Sequence, residues 1–147
     1  MKIAVHTDKE AEEVRIDVTC REVTPEIERM VATLRMLNHQ LTGRQGSQIF
    51  QVPAEDVIYV EAVDRKCFLY TKDDYFEADY RLYELEELLD ADGFFRISKS
   101  VLINLQAVAS IQTELNRRLL VTTCSGERLI ASRQYADALK KLLGVKA

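Results

Sequence analysis

From Ile49 to Ser132 the chain is a succession of apolar runs four to seven residues long, nearly all ended by polar turns. The runs read IFQVP, VIYVEAV, CFLYT, YFEA, FFRI, VLINL, AVASIQT, RLLVTTC and RLIAS. Segments this short, rich in β-branched and aromatic residues, are strands rather than helices. Asp64-Arg65-Lys66 between two of them predicts a hairpin, and Ser125-Gly126-Glu127 predicts a tight turn. Two stretches break the pattern. RLYELEELL (81–89) sets Leu82, Leu85, Leu88 and Leu89 on one side and acids on the other, an amphipathic helix stopped at Asp92-Gly93. QYADALKKLL (134–143) predicts a terminal helix that starts near Ser132 or Arg133 and ends at Gly144. The expected class is mainly β, α+β overall.

The first forty residues follow another logic. Residues 2–7 (KIAVHT) and 14–20 (VRIDVTC) alternate as strands do. A helix follows. Thr24 can cap it, Pro25 suits its first position, and Ile27, Met30, Val31, Leu34 and Leu37 recur at helical spacing. The polar stretch NHQLTGRQGSQ, with Gly43 and Gly46, is the natural boundary. The expected division is a β-β-α arm over 1–42 and a main domain over 43–147. The arm is too small to stand alone, and is expected to dimerise or to receive a regulatory signal.

Several function classes find no support. No apolar run approaches the roughly 20 residues of a membrane-spanning helix, and the acidic start is unlike a signal peptide, so a cytoplasmic location is expected. Cys20, Cys67 and Cys124 are scattered and odd in number, which argues for reduced thiols. Cys67 and Cys124 read as small buried strand residues. His6 and His39 lie in no ligand spacing, no phosphate-binding glycine loop is present, and the serines lack a His and acid set. Neither an enzyme, a cofactor nor a small-molecule substrate is expected.

Three polar stretches end or interrupt the strands: Asp64-Arg65-Lys66, Ser98-Lys99-Ser100 and Ser132-Arg133-Gln134. Each joins a long cation to small hydrogen-bonding groups. Hydroxyls and amides hold phosphates, while Arg, Lys and Gln reach base edges. Asn116-Arg117-Arg118 could grip phosphate. The net charge of −4 opposes this reading, but its distribution is polarised. From Asp73 to Asp92 nine acids face Arg81 alone, whereas from Gly93 to Lys141 eight bases face three acids. By composition alone, a protein-interaction module that regulates a partner without DNA remains the alternative.

The runs VIYVEAVDRKCFLYT, RLYELEELL, FFRISKSVLINLQAVASI and RLIASRQYADALKKLLG resemble the LytTR family in content, order and spacing, over roughly residues 48–145. The resemblance implies small antiparallel β-sheets with short helices. It also implies sequence-specific binding of double-stranded DNA by loops entering successive major grooves, independent of a helix-turn-helix, to regulate transcription in a bacterial cell. The family's contact positions fall on Arg65 and Lys66, on Ser98, Lys99 and Ser100, and on Arg133 and Gln134. Arg118, with Arg117 beside it, maps to a backbone contact between grooves. Gln134 departs from the second base that many members carry. The layout resembles short stand-alone regulators without a receiver domain. This implies a small membrane protein as restraining partner, while the homodimer is expected from the small arm.

Overall fold

The structure, a computed structural model, describes residues 1–36 and 39–145. The strands expected from Ile49 onward form, and every pairing is antiparallel. In chain order the elements are helix α1 (Pro25–Met36), strands β1 (Gln40–Gln45), β2 (Gln48–Pro53), β3 (Tyr59–Val63), β4 (Lys66–Tyr70) and β5 (Tyr75–Ala78), then helix α2 (Leu82–Leu89). Strands β6 (Phe94–Arg96), β7 (Val101–Asn104), β8 (Val108–Thr113), β9 (Leu119–Thr123) and β10 (Arg128–Ala131) precede helix α3 (Arg133–Leu142). They make a seven-stranded sheet ordered β2-β1-β5-β4-β3-β7-β6 and a three-stranded sheet ordered β10-β9-β8.

The long sheet has two covered faces. Val60 of β3, Leu69 of β4 and Leu102 of β7 pack with Leu82, Leu85 and Leu89 of α2. Their neighbours Tyr59, Val101 and Ile103 point the other way, into a second core with Leu119 and Val121 of the short sheet and Ala136 and Leu139 of α3. Alternation sends successive side chains to opposite faces, so all four residues of β7 are buried. Asn104 ends that strand at 2% exposure. Its Nδ2 donates to the Val57 carbonyl (3.0 Å) and its Oδ1 accepts from Gln106 N (2.9 Å). The helix stop at Gly93 holds, with φ 84° in the left-handed region.

Four expectations need correction or limitation. Residues 2–7 and 14–20 join no ladder and are exposed throughout, because a strand needs a partner edge and the described residues offer them none. The polar stretch expected as a boundary supplies β1, and a division at 42/43 cuts through that strand. Gly43 is there for contact, since a Cβ on it would lie 2.6 Å from Phe76 Cβ. Cys124 sits in the exposed turn after β9 rather than inside a strand. Helix α1 starts at Pro25 with Thr24 Oγ1 accepting from Ile27 N at 3.3 Å, as expected, whereas Leu37 lies outside the described residues.

His39 ties the end of the α1 segment to the main domain. Its Nδ1 meets Asp92 Oδ2, and its carbonyl accepts from Ala54 N at 3.0 Å. Asp92 is fully buried, and its Oδ1 has no partner among the described residues.

Candidate nucleic-acid interface

The Ser98-Lys99-Ser100 loop is built by its flanks. Ile97 is fully buried, and its N–H donates to the Val101 carbonyl at 3.0 Å, closing a three-residue loop. Ser98 Oγ accepts from Ser100 N at 3.3 Å. Two main-chain hydrogen bonds then connect this loop to its neighbours. Ala62 N, near the end of β3, donates to the Ser100 carbonyl (2.8 Å), and Ser132 N, before α3, donates to the Ile97 carbonyl (2.8 Å). The hairpin tip, the serine loop and the start of α3 are therefore fixed side by side by backbone alone.

Ser98, Lys99, Ser100, Arg117, Ser132, Arg133 and Gln134, together with Asp137, line one cleft of about 690 Å³. Seven of the ten residues singled out from the sequence thus meet there. Ser132 precedes α3 in extended backbone, and its side chain caps nothing. The free N–H groups of the first turn of α3 and the positive end of its dipole lie beside it. Asp137 is the wall residue that sequence reasoning missed. It follows Arg133 by one helical turn, and i, i+4 positions share a face, so the spacing carried the signal.

Arg65, Lys66 and Arg118 do not line the cleft. Arg65 stands exposed at the β3–β4 tip, with Asp64 and Arg65 at φ 50° and 69°. Lys66 turns to the sheet, with Nζ 3.3 Å from Glu77 Oε1. Arg118 is exposed at the entry to β9, and its carbonyl accepts from Glu114 N at 2.8 Å. Asn116 and Arg117 are also left-handed, both at φ 63°. Such backbone favours glycine and costs an arginine about 1–2 kcal/mol. Both tips hold an arginine there nonetheless.

Some cations elsewhere are held by acids. Arg44 meets Glu77 (3.4 Å) and Asp79, Lys66 meets Glu77, and Arg96 meets Glu86 (3.4 Å). The two carboxylates raise the pKa of Arg44 still further, the hydrogen-bonded Asp79 most. Among the described residues, no ion pair involves Arg65, Lys99, Arg117, Arg118 or Arg133. A second hollow of about 350 Å³ has the opposite character, lined by Asp56, Asp73 and Asp74 beside Lys72.

A family model described as the LytTr DNA-binding domain matches residues 47–144. The chain belongs to the LytTR family. The LytTR domain of this chain superposes on the LytTr DNA-binding domain of a Bacillus cereus response regulator with a TM-score of 0.67 at 30% identity, covering 71% of this chain and 96% of that one. An uncharacterized HTH-type transcriptional regulator of Staphylococcus aureus strain bovine RF122 / ET3-1 is 24% identical over 99% of both chains. The sensory transduction protein LytT of Bacillus cereus is 31% identical over 73% of this chain and 44% of its own length. Despite the label of the first relative, the three α-helices of this LytTR domain and its arm are separated by strands, so among the described residues none follows another as a helix-turn-helix requires. Among those residues no helix is long and apolar enough to cross a membrane.

Proposed function

We propose that the cleft is the surface on which this LytTR chain meets double-stranded DNA, and that it regulates transcription by sequence-specific binding in a bacterial cytoplasm. One observation carries the reading: separate polar stretches of the sequence converge on one cleft whose cations enter no ion pair among the described residues. Lys99 and Arg133 reach base edges, and Gln134 favours adenine. Ser98, Ser100 and Ser132 and the amides at the start of α3 take phosphate oxygens. Arg65 enters the neighbouring groove, and Arg117 and Arg118 meet backbone between grooves. Lys66, held by Glu77, contributes less than Arg65. The names of the relatives support a regulatory role. Two copies acting together, and restraint by a small membrane protein, complete the proposal.

The test is duplex binding followed by anisotropy across a salt series. Binding that falls steeply with salt, through release of counterions, supports the reading. A protein-interaction module would show no such dependence. Selection from a random duplex pool should enrich one motif, and enrichment should vanish for Arg133→Ala.

A further inference from the structure

The arm carries an unused strand signal with a built-in register. Val14, Ile16 and Val18 alternate with Arg15, Asp17 and Thr19, and all are exposed, Val14 at 91% and Ile16 at 58%. Arg15 Nε and Asp17 Oδ2 lie 3.1 Å apart, so the two charges share one side of the segment. Among the described residues nothing pairs with it.

We infer that residues 14–18 pair antiparallel with the same residues of a second copy, about a two-fold axis at Ile16, and that this pairing completes the arm. In this register Val14 lies opposite Val18 of the second copy, and Ile16 opposite Ile16. On the other face Arg15 lies opposite Asp17, twice over. Opposite charges across a ladder stabilise it, and like charges destabilise it. Neighbouring registers fail that criterion. An axis at Asp17 sets Asp17 against itself, and an axis at Arg15 sets Arg15 against itself and Glu13 against Asp17. A shift of one residue mixes the apolar and charged faces. A self-complementary patch is what a two-fold dimer requires.

Two strands alone bury too little for a stable sheet. The chain supplies the rest. Residues 8–11 turn, with Ala11 N on the Asp8 carbonyl (3.1 Å) and Glu10 N on Asp8 Oδ1 (3.0 Å). Folding residues 2–7 back about this turn brings Val5 opposite Val14 and Ile3 opposite Ile16, on the same apolar face. The dimer then holds four strands. Helix α1 follows directly, and its half-buried Ile27, Met30, Val31 and Leu34 offer apolar cover for that face.

This deepens the two-copy element of the proposed function but rests on the arm alone, and its test uses no DNA. Sedimentation equilibrium of the full chain should show a dimer. Arg15→Asp and Asp17→Arg, taken singly, should each weaken it about tenfold or more, by setting like charges across the ladder twice. The double variant Arg15→Asp with Asp17→Arg should restore it. These positions lie outside the cores, so folding is not at stake. A monomeric chain overturns the inference and leaves the arm to a different partner. A dimer indifferent to both single swaps overturns it as well. Duplex binding, measured separately, passes or fails on the cleft whatever the arm does.

Discussion

Arg65 and Arg117 occupy backbone that glycine would hold more cheaply. Positions kept under strain point to use of the side chain. Arg65→Gly is therefore expected to leave the fold equally stable or up to about 1 kcal/mol more so, while weakening duplex affinity. Urea denaturation read beside anisotropy checks both halves, and a variant that loses stability along with binding contradicts the assignment. At Lys99 and Arg133, truncation to alanine should cost about 1–3 kcal/mol for the preferred duplex and little for others. Arg118→Ala should weaken all duplexes alike and reduce the salt slope by about one. Competition binding across a salt series separates the two patterns. His39 tests a different matter. Without its ring the buried Asp92 carboxylate loses its one described partner, and His39→Ala should cost about 1–3 kcal/mol in a denaturation midpoint.

At the scale of elements, Gly43 shows how the sequence misleads. In a polar stretch it reads as a chain breaker, yet it lies inside β1 because Phe76 needs the space. Gly43→Ala should overpack this contact and destabilise by about 1–3 kcal/mol, measurable by chemical denaturation. The strands after Ile49 were legible because one or both of their faces are buried, and burial imposes an alternating or continuous apolar pattern. Helix α2 was legible through its leucine stripe, and α3 through its bracketing Ser132 and Gly144. β1 was not, since Leu41 is its single large, fully buried apolar residue among polar neighbours. The arm was legible only as a pattern, for the converse reason. Its alternation is genuine, but periodicity says which face a strand would bury and nothing about whether an edge exists to receive it. The three polar tips were legible, two of them as walls of the cleft and the hairpin tip beside it. That they adjoin was not, because the hydrogen bonds joining Ala62 to Ser100 and Ser132 to Ile97 are main-chain and leave no mark in residue type.

The molecule as a whole joins an acidic flank to a basic end, which reconciles a net charge of −4 with a polyanionic target. Its two sheets are bridged at Tyr59, whose hydroxyl donates to Glu127 Oε2 at 2.6 Å across the gap. Burial, then that carboxylate, raises the phenol's pKa well above its ordinary value near 10. Because the folded value is the higher one, the contribution is complete below about pH 10 and fades as pH rises through the folded value. Stability measured between pH 9 and 11 should fall for the parent chain, and the decline should be shallower for Tyr59→Phe. An equal decline in both would remove Tyr59 from the account. The bonds that hold the three tips together have a different consequence. They belong to the peptide chain, so Lys99, Arg133 and Gln134 can be exchanged without loosening them. Chains of this build can change which address they read one letter at a time while the framework stays put.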